Sequence, residues 1–249
     1  MLPLLYLWNS KAMYLGPSFE TGEHSHNAIQ IVVGLRGNVK ILIDGEWKVG
    51  NFFIIPPNVR HQTVLLGMVA MMYADSEDVR FDSKGPRNTI ISNDIKEKLL
   101  EIYYSHAEVQ SAESIYDEVL NQVGFSRPKS GSIDGRVLKC LEYIDAHYFE
   151  SLTMERICID LQIPESTLSH LFSKEVGIPF RRYLIWKRLK NAVYYFVNTS
   201  CSLTDAALEA GFSDQPHFTK CFKEIFGVNP SYVFGKKLKL LNMVNRLKL

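Results

Sequence analysis

The chain has 249 residues, enough for one large domain or two ordinary ones. Its hydrophobic share of 46% and charged share of 22% are those of a globular protein, which excludes a disordered chain, a collagen-like repeat and a coiled-coil rod. The formal net charge of +1 conceals an asymmetry, because residues 1–132 carry 12 basic and 15 acidic side chains while residues 133–249 carry 16 and 12. A mildly acidic half followed by a basic half points to two modules with different partners.

The opening run from Met1 to Ser10 is apolar, lacks a basic leader and is too short to span a membrane, so it predicts a first strand in a cytoplasmic protein with no membrane partner. From Leu4 to about Tyr73 the chain is a series of short apolar runs: Ile29–Val33, Val39–Ile43, Phe52–Ile55, Val64–Leu66 and Val69–Tyr73. Hairpin punctuation lies between them at Arg36-Gly37-Asn38 and Asp44-Gly45, a texture that predicts a β-sandwich or barrel.

Within these strands sits a spaced polar set. His24, His26 and Gln30 share one parity, so a strand would aim them at one face, and His61 follows the Pro56-Pro57 turn as a fourth group. Polar groups aimed into an apolar interior need a metal, a ligand, water or one another. Three readings follow: His24, His26 and His61 as metal ligands, the same groups orienting a small organic effector, or a hydrogen-bonded network with no effector. The neutral amide of Gln30 is a poor ligand for a hard cation, which favours the metal-free effector pocket and assigns no cofactor. Trp8, Trp47 and Tyr73 are candidates to line it. The spacing, with Gly22, Gly37, Gly50 and the Pro-Pro turn, resembles the two cupin motifs and implies a small β-barrel; Gln30 stands where metal-binding cupins usually place Glu.

From Asn93 the period becomes helical, with one stripe at Ile95, Leu99, Ile102 and Tyr103 and another at Ala112, Ile115, Tyr116, Val119 and Val123. One helix is expected to cover the barrel and the other to pair with its counterpart in a homodimer. Residues 127–132, rich in Pro, Ser and Gly, read as a linker. Beyond it the chain is helical. Starts are expected at Thr153, Pro164, Pro179, Thr204, Ser213 and Asn229-Pro230, and stops at Gly177 and Gly227. Cys140, Cys158, Cys201 and Cys221 form no CxxC pair and read as buried apolar residues of helices. The basic tail from Lys236 to Arg246 is expected to be a frayed amphipathic helix.

This half contains a repeat. Phe172-Ser-Lys-Glu-Val-Gly177-Ile178 recurs fifty residues on as Phe222-Lys-Glu-Ile-Phe-Gly227-Val228, with Leu168 matching Phe218. Each copy is a short helix, a tight turn and a second helix, the helix-turn-helix plan. Each second helix holds core spacing on one face (Leu168, Leu171, Phe172; Phe218, Cys221, Phe222). The other face carries groups suited to base edges and phosphates: Ser166, Ser169 and His170, then Gln215, His217, Thr219 and Lys220. Between the copies, Phe180–Phe196 carries Arg181, Arg182, Lys187, Arg188 and Lys190.

The stretch from Ser202 to Tyr232, with Ala206-Ala207, Gly211-Phe212-Ser213, His217-Phe218 and Gly227-Val228-Asn229-Pro230, resembles the signature of the AraC-type transcription regulators, and the resemblance spans about residues 133–232. It implies two helix-turn-helix units joined by a long helix, with Ser166, Ser169 and His170, then Gln215, His217 and Lys220, facing bases and Thr219 at phosphate. Ile163 departs from the usual capping Ser before Pro164. The expectation is therefore an α+β, two-domain, non-enzymatic regulator. Residues 1–88 form a cupin-like effector-sensing barrel, 89–126 a helical dimerisation region, 127–132 the linker and 133–249 the DNA-binding domain. The implied partners are a double-stranded DNA operator, RNA polymerase, a small effector and a second copy of the chain; the enzyme alternative is a metal-dependent cupin.

Overall fold

β-branched and aromatic runs form eight strands in the first third of the chain: β1 (Leu4–Leu7), β2 (Lys11–Pro17), β3 (Ile29–Arg36), β4 (Val39–Ile43), β5 (Glu46–Gly50), β6 (Phe52–Ile55), β7 (His61–Leu65) and β8 (Met68–Ala74). The structure is a computed structural model that describes all residues except 1–2, 9, 66, 76–79, 82–89, 127–132, 235–238 and 241–249. The expected linker and most of the basic tail thus lie outside the described residues. The chain divides into two compact units, 1–127 with 223–249, and 128–222.

In the first unit the described strands form separate sheets, where the sequence suggested one closed barrel. With β9 (Arg80–Phe81), β10 (Phe125–Ser126) and β11 (Lys239–Leu240), the larger sheet has the order β11-β1-β2-β8-β3-β6, a smaller one the order β5-β4-β7, and β9 pairs with β10 alone. β8 is central, antiparallel to both β2 (Lys11↔Ala74) and β3 (Ile29↔Ala74). The continuous apolar run of β3 reflects burial on both faces. Ile29, Ile31, Val33 and Leu35 join one core, and Val32 joins another with Val39, Ile41 and Ile55. Asp44 and Gly45, at φ 53 and 77, turn β4 into β5, a left-handed pair suited to a two-residue hairpin. β5 was not anticipated because Glu46, Trp47, Lys48 and Val49 contain no run of consecutive apolar residues, and all four are exposed. β11 (Lys239–Leu240) pairs parallel to β1, so these two tail residues are strand, where a helix was expected.

Helices α1 (Asn93–Ser105) and α2 (Val109–Val123) both lay apolar stripes on the larger sheet and share one core with it. The Ser92 hydroxyl accepts the Ile95 N–H and starts α1, and Gly124 at φ 89 ends α2. Lys11 ties β2 to α2, its ammonium 2.7 Å from Asp117 and 2.9 Å from Glu113 and stacked over the Trp8 and Tyr116 rings.

The second unit contains α3 (Gly135–His147), α4 (Met154–Leu161), α5 (Glu165–Val176), α6 (Phe180–Asn198) and α7 (Leu203–Glu209); α8 (Gln215–Phe226) starts in it and ends in the first unit, to which α9 (Pro230–Phe234) also belongs. Thr153 caps α4 as expected. Two caps are corrected. Ser202, in a capping box with Asp205, starts α7 in place of Thr204, and the Asp214 carboxylate, accepting the His217 N–H at 2.7 Å, starts α8 in place of Ser213. The turns inside the two helix pairs pass through left-handed residues, Gln162 at φ 57 and Gly211 at φ 87. Cys201 also departs from expectation, being only half-buried and in the loop before α7.

Gly211 has no room for a side chain, since a Cβ there would lie 2.7 Å from both Cα and the carbonyl oxygen of Phe149. Gly211→Ala therefore adds a backbone collision to a left-handed conformation that Ala resists, and should lower stability by about 2–4 kcal/mol. Urea denaturation of the full chain tests this; a variant as stable as its parent contradicts that packing.

Candidate effector and nucleic-acid sites

The polar set of the first half does converge, by a route that strand parity did not give. Only Gln30 lies on β3; His24 and His26 precede it. His24 and His61 form an antiparallel bridge, each backbone N–H donating to the other's carbonyl at 2.9 Å, and their rings lie 4.1 Å apart. The Asn58 N–H, following the Pro56-Pro57 turn, donates to the His26 carbonyl at 2.8 Å and folds that segment against the motif. The result buries His24, His26, Gln30 and His61 to 4%, 1%, 1% and 0% exposure, too little for any of them to be a solvated surface group.

Each imidazole is held from behind. The Nδ1 atoms of His24, His26 and His61 donate to the carbonyls of Gly22 (2.8 Å), Ala28 (2.8 Å) and Val59 (2.9 Å). Gln30 Oε1 lies 2.9 Å from His26 Nε2 and 3.0 Å from His61 Nε2, and Gln30 Nε2 donates to the Tyr73 hydroxyl at 3.2 Å. Burial, then the neighbouring imidazoles His61 and His26, push His24 down to about 3; burial and His61 take His26 to about 4, and burial lowers His61. All three rings are neutral at pH 7.

Of the three aromatics expected to line the cluster, Tyr73 does so. Trp8 stacks on Tyr6 and packs against Tyr116 instead, and Trp47 is 43% exposed beneath the Lys40 ammonium. Reading the sequence placed Gly22 in the motif but missed its role, the carbonyl that orients His24, and missed the Thr21–Thr63 hydroxyl pair at 3.1 Å. No spacing rule marks backbone carbonyls, so neither had a signal.

In the basic half, α5 buries Leu168 and Phe172 and leaves Ser166 and His170 exposed, with Ser169 half-buried. α8 buries Phe218 and Phe222 and leaves Gln215 and Lys220 exposed, with His217 and Thr219 half-buried. Gln215 Nε2 donates to Thr219 Oγ1 at 3.3 Å, while His217 Nδ1 meets the Ser213 hydroxyl at 3.2 Å and its ring stands edge-on to Phe212. The basic residues of α6 are not equivalent. Lys187 pairs with Asp145 at 2.6 Å, and Arg188 donates to the carbonyls of Tyr148 (2.8 Å) and Glu150 (2.6 Å) beyond the end of α3, while Arg181 and Arg182 are exposed.

Two helix pairs with apolar backs and polar fronts agree with what known proteins share with this chain. The helix-turn-helix domain family matches residues 157–235. Residues 157–235 thus resemble a helix-turn-helix domain. A helix-turn-helix-type transcriptional regulator of Staphylococcus aureus is 30% identical over 104 residues, covering 42% of this chain and 14% of that one. The regulator GbdR of Pseudomonas aeruginosa is 26% identical over 120 residues, covering 47% and 33%. The chain thus matches only a minor part of each relative's length. Across 90% of the chain the fold is that of Vibrio cholerae ToxT, as seen in an apo point variant at 13% identity and a TM-score of 0.60, covering 96% of that protein.

Inside the helix-turn-helix domain, Arg188 is a structural residue by its partners. Removing it takes a charged donor from the Tyr148 carbonyl and from the Glu150 carbonyl, which keeps only the Leu152 N–H at 2.8 Å, so Arg188→Ala should cost about 2–4 kcal/mol, since each hydrogen bond to a charged group is worth ~1.5–3 kcal/mol. Urea midpoints of Arg188→Ala and Arg181→Ala compare the two; equal stability, with a loss of DNA affinity confined to Arg188→Ala, would move Arg188 to a phosphate-contacting role.

Proposed function

We propose that the chain is a sequence-specific DNA-binding transcription regulator whose β-rich half senses a small effector and modulates operator binding. The observation that carries this reading is the repeated helix pair, each copy with a buried aromatic-aliphatic back and an exposed polar front, within the region matched by the helix-turn-helix domain family. The two pairs, α4–α5 and α7–α8, act as two helix-turn-helix units. Ser166, Ser169 and His170 on α5, and Gln215, His217 and Lys220 on α8, face base edges, with Thr219 at phosphate. α6 is the spacer: its 19 residues make about 28 Å of helix, of the order needed to set two reading helices about one DNA turn apart. The remaining assignments follow the sequence: a cupin-like sensor over 1–88, a helical dimerisation region over 89–126, a linker over 127–132 and the DNA-binding domain over 133–249.

The effector site is the His24, His26, Gln30 and His61 cluster, because it gathers four buried polar side chains of the β-rich half at one place. ToxT has been crystallised with an unsaturated fatty acid bound, so a protein of this fold holds a small ligand. The mechanism is a population shift in which the effector binds one arrangement of the chain more tightly and so changes operator occupancy or contact with RNA polymerase. The protein works in the cytoplasm as a homodimer, and its chemistry is binding, without catalysis. Among the described residues no helix is long and apolar enough to cross a membrane.

The reading is tested by DNA binding of the full chain to operators selected from random sequence. Lys220→Ala should weaken binding to all sequences alike and flatten the salt dependence by about one unit of slope, whereas Gln215→Ala should relax preference at one or two base pairs, at ~1–3 kcal/mol for the preferred site. Unchanged affinity and selectivity in both variants would refute α8 as a reading helix. The parent should bind less tightly as salt rises from 50 to 200 mM; a flat response would refute phosphate neutralisation by the basic half.

A further inference from the structure

The fifty-residue repeat carries an internal control. Gly177 and Gly227 occupy equivalent places, one residue past α5 and one past α8, with φ 85 and 69. Each donates its N–H to the carbonyl four residues back, Ser173 at 3.1 Å and Lys223 at 2.8 Å. Their surroundings differ. Gly177 is exposed, and a Cβ on it would meet nothing within 4 Å. Gly227 is buried, and a Cβ there would lie 2.6 Å from the Gly22 carbonyl oxygen, 2.6 Å from His24 Nδ1 and 3.0 Å from Thr21 Cβ. Both positions need glycine for a left-handed turn at a helix end. Only Gly227 needs it for space as well.

The close approach is one of three contacts on the same segment. The Gly22 N–H donates to the Gly227 carbonyl at 2.7 Å. Phe226 stands edge-on to Tyr73 of β8, with ring centroids 6.3 Å apart. Tyr232 of α9 packs on Phe19 at 5.7 Å, and Phe19 in turn stands edge-on to Tyr14 of β2 at 5.4 Å. All of these residues lie in the first unit, which takes residues 223–249 with the β-rich half, whereas α5 belongs wholly to the second. Closing a helix pair does not require such a grip, since α4–α5 closes on the same core spacing with its terminal glycine free of side-chain crowding. The grip is made of main chain and aromatic rings, so salt that weakens phosphate contacts leaves it in place.

We propose that Gly22, Phe19 and Tyr73 are positioning residues for the second reading helix: they hold the end of α8 so that Gln215, His217 and Lys220 meet DNA in one orientation, while α5 is presented without such a hold. This rests on the reading of α5 and α8 as DNA-reading helices and goes beyond it by making the two unequal. The physical ground is pre-organisation. A helix whose end is free loses orientational freedom on docking, and affinity falls accordingly; a helix already held has less to lose. Contacts to base edges depend on the angle at which a helix enters the groove, whereas attraction to phosphate depends on it little. The hold therefore acts on the operator segment that α8 reads.

Operators selected from random sequence are scanned by single base-pair substitution with the full chain and with Gly227→Ala, Gly177→Ala, Phe19→Ala and Tyr232→Ala. The base pairs whose preference Gln215→Ala relaxes mark the α8 segment, and the rest of the operator is the comparison. Gly227→Ala should lower affinity for the preferred operator about tenfold, with the loss of discrimination confined to the α8 segment and the salt slope unchanged. Gly177→Ala, which has the left-handed strain without the collision, should leave discrimination in the α8 segment within about twofold of the parent. Phe19→Ala lies in the β-rich half, outside both helix pairs, yet it should reduce discrimination in the α8 segment about threefold. Tyr232→Ala should do the same, and the double variant should lose no more than either alone, as two sides of one contact must. These two substitutions decide the matter should Gly227→Ala fail to fold. The Gly22 amide should exchange slowly in the parent and quickly in Gly227→Ala.

Equal losses across the whole operator, a rise in affinity, additive effects of Phe19→Ala and Tyr232→Ala, or a freely exchanging Gly22 amide in the parent overturns the hold. A parent that binds no DNA, or an operator on which Gln215→Ala relaxes nothing, sinks the reading on which the hold rests. A parent that reads its operator through Gln215 while every other variant matches it sinks only this inference.

Discussion

The bridge between His24 and His61 is the constraint on which the first unit's chemistry depends. Two reciprocal backbone hydrogen bonds join segments 37 residues apart in sequence, and because they are backbone bonds they fix the Cα positions of both histidines before any side chain is placed. The carbonyls of Gly22 and Val59, each two residues before its histidine, then set both rings with Nδ1 outward. His26 repeats the device in the opposite sense, using the carbonyl of Ala28 two residues after it. A cluster so specified cannot relax by turning its rings, because each rotation would strand a buried carbonyl. That rigidity holds the three rings and the Gln30 amide in one arrangement, where a flexible surface cluster would simply have rotated away.

The second unit is governed by a different constraint, the shortness of its helices. α4 and α7, at eight and seven residues, are too short to persist alone and are held by their partners. Each hands the chain to its partner through a left-handed residue, and each partner buries the same spacing, Leu168 and Phe172 or Phe218 and Phe222. Once four core positions per pair are committed, the polar front of α5 and α8 is fixed by geometry. Arg188 belongs to this framework: it spends its charge on the carbonyls at the end of α3, where no helical N–H remains to satisfy them.

What the sequence made legible follows from which of these constraints act locally. Helical period, terminal glycines and the fifty-residue repeat are local, and they located α5 and α8 with their buried and exposed faces. Caps were misplaced by one or two residues because Ser202 and Thr204, or Ser213 and Asp214, are chemically alike, and the choice depends on backbone angles that composition does not encode. β5 was overlooked because its Glu46-Trp47-Lys48-Val49 alternation holds no consecutive apolar residues. The four polar residues of the cluster were found through their motif, yet the reason given, shared strand parity, was not the operative one, since His24 and His26 lie outside β3 and a bridge to a distant segment brings them in. The part the second layer plays was illegible for a plain reason: Gly22, although a motif position, acts through its backbone carbonyl, which no residue type announces.

Gly22 and Gly227 show how such a layer can carry information. Each lacks a side chain where the other's backbone arrives, so the contact is a hydrogen bond between main chains with almost no van der Waals slack. Slack dissipates small displacements, and close-packed backbone transmits them. A shift of a few tenths of an ångström at His24 therefore cannot be absorbed by a rotamer change at the glycines. It has to be met by bending the segment after α8 or by breaking the Gly22–Gly227 bond, two discrete outcomes that differ in the position of the last turn of a proposed DNA-reading helix. A sensor needs no larger movement than that, provided the two outcomes lie close in free energy, and a single backbone hydrogen bond worth about 1 kcal/mol net is of the size that leaves both accessible.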